Sequence, residues 1–463
     1  MANDQLPAIL VARFLKARHF TQTLEVFLRE ANLSESLATT NPGDWTLEKL
    51  VEEKLQFDTS LNFERKDNDA AQAWTRPAPS ISREPELQIS TNVLSIRGDP
   101  LSDTLSITTA DNACSCIAGS ADTSHPTTSF RADSPILSTR FLQSGKFLLS
   151  TSMSGKIMLH DLVSQRLIAE RRDHTRWAVN VAEHILADHR NCLIASVGWD
   201  QKIHVYAIPL DSNLSPLDKD IPPPVHTITL PSNPESVVFV KNPDTSALYL
   251  VFSRRDSSFL YYYRVDFPSS AQSTITLTDS GRQNLAPHSN AWVAFTPSAL
   301  ALHPRDPTLL AIATSHLPHL RVIIVRLLFP SAEPYNISDS ANPTPASMAR
   351  ASLALQDRED AAITLQVTTL APQTPYSTPQ IAWRPDGSGL WVNGDDGVVR
   401  GVEAKTGKVV AQLQAHEAGS KVRTIWAGRV GQGENSKEIL VSGGFDRKVF
   451  IWEVDTNSSS NSN

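Results

Sequence analysis

The chain has 463 residues, of which 40% are hydrophobic and 20% charged, so it can bury a sizeable core and is not disordered throughout. Its formal net charge of −7 argues against a general affinity for nucleic acid or anionic membrane, and no apolar run reaches the roughly 18 residues that a membrane helix needs. With only three cysteines, a disulfide scaffold is excluded. The chain does not start with a basic region followed by an apolar stretch, so we expect no secretory signal and a cytoplasmic or nuclear location.

The first forty residues predict two short amphipathic helices. Leu10 and Phe14 share one face of the first helix, and Phe20, Leu24 and Phe27 share one face of the second. Two helices of this length bury too little apolar surface to be stable alone. We therefore expect the stripe to pack against a second copy of itself, with these five residues at the dimer interface.

The segment from Ile9 to Glu30 resembles the LisH (lissencephaly homology) motif. Its aromatic-Leu pair, Gly-aromatic turn, Thr, Phe and Glu correspond here to Phe14-Leu15, His19-Phe20, Thr23, Phe27 and Glu30. His19 stands where the family usually has Gly, which tolerates a left-handed turn better. The resemblance implies a homodimerisation motif over residues 1–40. The alternative is an ordinary helical hairpin docked on the domain that follows.

Residues 41–86 predict a helix followed by a linker. Asp44 can cap a helix whose apolar residues are Leu47, Leu50, Val51 and Leu55. From about residue 59 to residue 85 the chain is polar and interrupted by prolines. This composition favours a linker between the helical region and the next domain.

From about residue 87 the chain repeats a unit consisting of a strand, a turn that carries Asp, and a second strand that ends near an aromatic residue. The clearest copies are 193–206 and 440–452, in which the turn Asp precedes the aromatic residue by six positions. Weaker copies at 148–161 and 390–402 keep the six-residue interval. Short strands separated by regular turns predict an all-β fold built from repeated sheets.

These repeats resemble those of WD-repeat β-propeller proteins, whose best-formed blades hold a hydrogen-bonded set of His, Ser or Thr, Asp and Trp. The last repeat matches the set with His416, Ser442, Asp446 and Trp452. The third repeat matches it with His174, Ser196, Asp200 and, in the Trp position, Tyr206. The resemblance implies that the set ties loop to strand and satisfies buried polar groups. Both histidines are therefore interpreted as structural, not catalytic.

The strand runs and turn signals predict a mainly β fold, a seven-bladed propeller over residues 87–455 preceded by the helical hairpin. The predicted blades are 92–133, 134–173, 174–234, 235–296, 297–378, 379–416 and 417–455. The last repeat supplies only three strands, so we expect Leu87–Thr91 to add the fourth and close the ring. Composition also predicts a disordered insertion at 331–361 and a disordered tail at 456–463.

The sequence contains no recognisable catalytic or cofactor-binding motif. A nucleophile elbow, a P-loop, a dinucleotide-binding glycine pattern and a zinc-protease helix are all missing. Cys114 and Cys116 lack a second ligand pair at zinc-finger spacing, and Asp395-Asp396 fits a blade turn better than a calcium loop. The Arg pairs at 171–172 and 254–255 are interpreted as solvated surface. We expect no cofactor and no bound metal.

A binding face is predicted where large side chains precede the turn Asp, because these positions lie on one rim of a WD-like propeller. The candidate residues are Met153, Trp199, Arg255 and Phe445, with Trp177 beside them just after His174. Aromatic and Arg side chains dominate the energetics of protein interfaces. The alternative is that Trp199 and Phe445 pack against neighbouring loops.

These expectations combine into a non-enzymatic, dimeric scaffold whose propeller binds peptides or domains of other proteins, with no membrane or direct nucleic-acid contact. A substrate-receptor subunit of a ubiquitin ligase and a corepressor component are narrower alternatives. The last repeat reads Trp452-Glu-Val-Asp455 and so lacks the Arg of the Trp-Asp-x-Arg ending common in such receptors. A propeller hydrolase is the least favoured alternative.

Overall fold

The computed structural model divides the chain into two compact units, residues 1–68 and 69–463. The first unit is helical and the second consists mostly of β-strands. The structure describes residues 6–40, 46–51, 73–99, 101–120, 128–142, 145–186, 191–211, 215–216, 220–267, 275–287, 295–330, 345–431 and 436–455. For residue 6 and for residues 345–351 only the backbone is described.

The first unit is a helical hairpin, so the prediction of a short helical region ahead of the sheets is confirmed. Helix α1 spans Leu6–Ala17, helix α2 spans Thr21–Glu30, and a 3-10 helix follows at Glu35–Ala38. Residues 47–51 are also helical. The small core contains buried Ala12, Leu24 and Ala38, against which Leu15, Phe27 and Leu28 pack.

The turn between α1 and α2 places His19 in the left-handed region, with φ of 60°. The amide of His19 donates to the Lys16 carbonyl at 3.1 Å, and the amide of Phe20 donates to the Leu15 carbonyl at 2.9 Å. This pair of bonds is a Schellman motif, whose left-handed residue is usually Gly. His19 therefore occupies the conformation that the resembled motif assigns to Gly.

The second unit is a seven-bladed β-propeller, as the sequence predicted, and each blade is a four-stranded antiparallel sheet. Blade 1 contains β2 (Val93–Asp99), β3 (Thr104–Thr109), β4 (Ala113–Ala118) and β5 (Thr128–Arg131). Blade 2 contains β6 (Ile136–Leu142), β7 (Phe147–Ser152), β8 (Lys156–Asp161) and β9 (Arg166–Arg172). Blade 3 contains β10 (Ala178–Ile185), β11 (Asn191–Gly198), β12 (Lys202–Pro209) and β13 (His226–Thr229).

The remaining four blades follow the same order from the innermost strand outward. Blade 4 contains β14 (Pro234–Lys241), β15 (Leu248–Arg254), β16 (Phe259–Asp266) and β17 (Thr276–Asn284). Blade 5 contains β18 (Pro297–Leu302), β19 (Leu309–Thr314), β20 (His319–Arg326) and β21 (Ile363–Pro372). Blade 6 contains β22 (Ile381–Trp383), β23 (Gly389–Val392), β24 (Val398–Glu403) and β25 (Val409–Gln414). Blade 7 contains β26 (Val422–Val430), β27 (Lys437–Gly444), β28 (Val449–Val454) and β1 (Pro79–Arg83).

The hydrophobic core of the propeller lies between the blades. The first strand of each blade contacts the first strand of the next, all the way round the ring. The described residues of the propeller form seven clusters of buried apolar side chains, one at each junction between neighbouring blades. Each sheet therefore buries both of its faces, which is why its strands read as near-continuous apolar runs.

The ring closes through β1, and the prediction of Leu87–Thr91 as the closing strand is wrong. Pro79–Arg83 pairs antiparallel with β28, and Arg83 forms a 2.6 Å ion pair with Glu453. Leu87 and Ile89 instead pack on the core between blades 7 and 1, and their amides bond carbonyls two residues back. Leu87 and Ile89 alternate with exposed residues, which is the pattern expected of a strand. The true closing strand, β1, is an exposed edge strand and has little apolar alternation.

Residues 73–78, predicted as linker, pack on blade 6. Trp74 makes an edge contact with Trp391, with ring centroids 5.1 Å apart. The Arg384 guanidinium lies 4.5 Å from the Trp74 ring and donates to the Thr75 carbonyl at 2.7 Å. A Cβ at Gly389 would lie 2.4 Å from the Trp74 ring, so this Gly makes room for the indole. The propeller unit therefore begins before residue 87.

The predicted disordered insertion at 331–361 contains a helix, α3, at Pro345–Ala362, so that prediction is wrong for this part. The buried carboxylate of Glu359 accepts the Asn284 amide at 2.7 Å and ties the end of α3 to blade 4. Residues 331–344 and the predicted tail at 456–463 lie outside the described residues.

Candidate interaction site on the rim of blades 2 to 4

The structure brings the four residues of the set in blade 7 together. His416 Nδ1 lies 2.9 Å from the Asp446 carboxylate, and its Nε2 lies 2.9 Å from Ser442 Oγ. Trp452 Nε1 donates to the same Ser442 oxygen at 2.9 Å. Burial raises the pKa of Asp446, but the hydrogen bond and charge of His416, together with the backbone amides of Glu417 and Lys448, lower that pKa overall. Both imidazole nitrogens are thus engaged within the fold.

The set in blade 3 has the same centre but a different outer partner. His174 Nδ1 lies 2.9 Å from Asp200 Oδ1, and its Nε2 lies 2.9 Å from Ser196 Oγ. The Tyr206 hydroxyl, in the Trp position, donates to Asp173 Oδ2 at 3.0 Å. Burial raises the pKa of Asp200, but the hydrogen bond and charge of His174, with smaller effects from the Thr175 amide and His204, together lower it to about 2.

His174, Asp200 and His204 place one possible metal-ligand atom each within 4.8 Å of one another. Both His174 nitrogens are already held by Asp200 and Ser196. His204 Nδ1 lies 2.9 Å from Thr227 Oγ1, which leaves only its buried Nε2 without a partner. The hydrogen-bonded network accounts for the grouping, so we assign these residues to the fold and not to a metal centre.

The turn between the second and third strands and the connection to the next blade lie at the same end of each blade, because neighbouring strands are antiparallel. At this end, the rings of Trp177 and Trp199 stack with centroids 4.8 Å apart and planes 20° from parallel. Arg255, from blade 4, lies 4.5 Å from the Trp199 ring. Three of the five predicted rim residues therefore form one stack across blades 3 and 4.

A groove of about 370 Å³ opens beside this stack. Its lining residues come from blades 2 and 3 and from the connection to blade 4: Met153, Ser154, Arg172, Thr175, Arg176, Trp177, Trp199 and Asn233. Met153 is thereby the fourth predicted rim residue placed here. Trp177 is 41% exposed, so a large part of the indole is open to a ligand.

The groove is positively charged. Arg172 and Arg176 are exposed, and neither has an ion-pair or hydrogen-bond partner for its guanidinium among the described residues. Arg171 and Arg255, interpreted from the sequence as solvated surface, are partly exposed but ion-paired, Arg171 with Asp173 at 2.6 Å and Arg255 with Glu235. Arg176 was not selected from the sequence, although its place between His174 and Trp177 marks it as a residue of the rim loop.

Phe445 does not line the groove. It follows β27 of blade 7, where it is 41% exposed and its amide donates to the Lys421 carbonyl at 2.9 Å. Lys421 in turn forms a 2.9 Å ion pair with Asp395 of blade 6. The rim residues predicted together thus fall into a group on blades 2 to 4 and a separate aromatic residue on blade 7.

The first strands of blades 1 to 3 place charged residues towards the centre of the ring, which sequence analysis missed. Arg140 Nε lies 3.1 Å from the Glu183 carboxylate. Burial, with a smaller effect from Arg140, lowers the pKa of Arg97 to about 9, and burial raises the pKa of Glu183. Because each of these strands contributes a single charged residue, the residues are far apart in the sequence. The cluster is recognised only when the order of the blades in the ring is known.

The five residues predicted at a dimer interface differ in exposure. Leu10 and Leu24 are buried, Leu24 in the small core of the first unit, and Phe14 and Phe27 are half-buried. Phe20, which directly precedes α2, is 51% exposed, and so is Val26 within that helix. Phe20 is therefore the residue of this set that is most available to a partner.

A family model described as UCP007778, beta-propeller domain, matches residues 71–453. The match begins before residues 73–78, which pack on blade 6, and before strand β1, in agreement with their place in the propeller. A search of curated proteins found no match to the chain. Among the residues described, no helix combines the length and apolarity needed to span a membrane.

Proposed function

Since the chain belongs to the β-propeller family UCP007778, we propose that it is a protein-interaction platform that binds partners in the rim groove of blades 2 to 4. One observation carries the proposal: the exposed Trp177 stacks on Trp199 beside two arginines that lack partners among the described residues. Trp and Arg are the residues most enriched in interface hot spots. Short rim loops held between the strands of a rigid ring present them at a low entropic cost of ordering.

We propose that the protein is not an enzyme. The histidines most suited to acid–base chemistry, His174 and His416, have both ring nitrogens engaged in hydrogen bonds within the fold. Burial lowers the pKa values of His160 and His204 to about 4, so both stay neutral near pH 7 and lie inside blades. These features support a role in binding over a role in catalysis.

We also propose that the first unit mediates homodimerisation, in keeping with its resemblance to the LisH motif. The exposed Phe20, directly before α2, and Val26 on α2 belong to the apolar surface that a second copy would cover. Static light scattering of the full chain should give a dimer, and Phe20→Glu should give a monomer. Leu353→Glu, at an exposed position on α3, is the matched control and should stay dimeric. A monomeric wild-type chain would refute dimerisation without affecting the rim site.

The test of the interaction site compares Trp177→Ala with the control Tyr376→Ala in the full chain. Both side chains are exposed, so neither change should lower the melting temperature appreciably. Affinity capture followed by chemical cross-linking should join partner peptides to the rim loops at 175–177 and 199–201. Trp177→Ala should abolish these cross-links and Tyr376→Ala should leave them intact. Partners that persist unchanged in Trp177→Ala would show that the groove is not the binding site.

A substrate-receptor subunit or a corepressor component would each use such a platform, and the identity of the captured partners distinguishes them. A Trp-Asp-x-Arg ending is not present at 452–455, which favours a general adaptor over a receptor of this type. We propose a WD-repeat-like adaptor on the basis of the His–Ser–Asp–Trp set in blade 7.

A further inference from the structure

The groove joins two kinds of recognition group. Trp177 has one face stacked on Trp199 and is 41% exposed, and Met153 lies on the blade 2 side of the same groove. An exposed aromatic ring and a flexible thioether together accept a bulky apolar side chain. At about 370 Å³, the groove is at the lower end of the roughly 300–1,000 Å³ typical of ligand pockets. It therefore suits a short segment of chain better than a folded surface.

The charges around the groove are unbalanced. Among the described residues that line it, Arg172 and Arg176 are charged and none is acidic. The acidic residues that lie close to it in the chain are already engaged with other groups: Glu170 pairs with Lys156, Asp173 with Arg171, Asp200 with His174, and Glu235 with Arg255. Two guanidinium groups are left to face the solvent, on a chain whose formal net charge is −7.

We propose that the groove binds an acidic peptide segment, which places one bulky apolar side chain against Trp177 and Met153 and its carboxylates on Arg172 and Arg176. This inference rests on the proposed function and specifies the chemistry of the partner. Arg binds carboxylates through two parallel hydrogen bonds, which gives direction as well as attraction. A nucleic acid would also meet the arginines, but it carries a negative charge on every nucleotide, so the net negative charge of the chain opposes its approach more strongly than that of a short acidic peptide.

The experiment selects random dodecapeptides displayed on phage against the immobilised full chain. Synthetic fluorescein-labelled peptides from the enriched clones are then titrated by fluorescence polarisation. The enriched peptides should combine several Asp or Glu residues with one Phe, Trp, Leu or Met. Their affinity should fall as the salt concentration rises, because the ion pairs are exposed to solvent.

Three variants of the full chain locate the binding. Trp177→Ala should lower the affinity for the peptides, and the double reversal Arg172→Glu/Arg176→Glu should lower that affinity by about tenfold or more. Arg166→Glu is the matched control, because Arg166 is exposed and lies at the opposite end of the same strand, β9, from Arg172. It makes the same change in charge as each single reversal within the double variant, and the affinity should be unchanged. Melting temperatures equal to that of the wild type confirm folding.

The outcomes separate the inference from the proposed function. Peptides that no longer bind Trp177→Ala show that the groove is a binding site. If those peptides are neutral or basic, or if the double reversal does not change their affinity, an acidic partner is refuted. If no enriched peptide is sensitive to Trp177→Ala, both proposals fail. If a labelled single-stranded DNA dodecamer binds more tightly than the peptides and is lost in the same variants, the ligand is a nucleic acid and the inference is overturned.

Discussion

The imidazole of His204 packs against that of His174, with ring centroids 4.5 Å apart. His204 faces Ser196 across strands β11 and β12, just as Phe450 faces Ser442 across β27 and β28. Phe450 likewise contacts the blade 7 histidine, with centroids 4.8 Å apart. Blade 3 therefore has a titratable ring where blade 7 has a phenyl ring, and this difference makes its stability depend on pH.

His204→Phe should make the propeller less sensitive to acid. Burial, aided by the charge of His174, lowers the pKa of His204 from 6.5 to about 4, so below pH 6.5 the unfolded chain binds a proton that the folded chain does not. Stability is then complete above about pH 6.5 and falls as the pH drops towards 4, by about 2 kcal/mol at pH 5 from this one group. Urea unfolding at several pH values should show a shallower decline for His204→Phe.

The control for this prediction is His160, whose pKa burial also lowers to about 4. His160 is present in both proteins, so the stability of each should still decline to some extent as the pH falls. At neutral pH the substitution removes the hydrogen bond between His204 and Thr227, which lowers stability. It also removes the buried Nε2 that has no partner, which raises stability, so the two effects oppose each other. Parallel pH profiles for the two proteins would contradict the assignment of His204 as a buried neutral base.

Arg384→Met should destabilise the propeller strongly. Arg384 is 1% exposed, donates two bonds to the Glu438 carboxylate at 2.8 and 2.9 Å, and supports Trp74. Removing it leaves a largely buried carboxylate unpaired, which costs about 3–5 kcal/mol. Adding Glu438→Gln to this variant should recover part of the loss. The matched control is Arg326→Met, whose ion pair with Asp306 is 3.6 Å long and solvent-exposed, so its loss should cost at most about 1 kcal/mol.

Shortening the chain from its N-terminus tests the closure of the ring. A chain that begins at residue 69 keeps Trp74 and β1 and should melt as the full-length propeller does. One that begins at residue 84 loses β1 and exposes the edge of β28, so it should melt at a lower temperature or aggregate. A third, beginning at residue 79, keeps β1 but lacks Trp74 and should fall between the two. Equal melting temperatures for all three would mean that β1 contributes nothing to closure.

The sequence predicts those parts of the fold that depend on local spacing. The six-residue interval from Asp446 to Trp452 marks a blade because both residues belong to one hairpin, and seven such units imply a ring. The closing strand was misplaced because β1 is an outer strand with only Pro79 buried, while Leu87 and Ile89 have the apolar alternation of a strand for a different reason. A pattern of burial does not reveal which backbone groups are paired.

The candidate site was predictable only in part, for a similar reason. Trp177 and Trp199 stand out as large residues at turns, and their stacking follows from loops at the same end of one blade. Arg172 ends a strand of blade 2, and its place beside Trp177 depends on the packing of blades 2 and 3. The separation of Phe445 from this group also depends on the ring, which places blade 7 apart from blades 3 and 4.

His19→Gly should stabilise the first unit. His19 has a φ of 60° at the left-handed position of a Schellman motif, where a residue with a Cβ pays about 1 kcal/mol that Gly does not. The gain is reduced by the greater freedom of Gly in the unfolded chain, so we expect a net stabilisation of about 0.5 kcal/mol. Slower amide hydrogen exchange in α1 and α2 of the full chain, followed by mass spectrometry, measures it. His19→Ala keeps the Cβ and removes the imidazole, and should show no such slowing. Faster exchange in His19→Gly would mean that the imidazole makes a stabilising contact that outweighs the backbone strain.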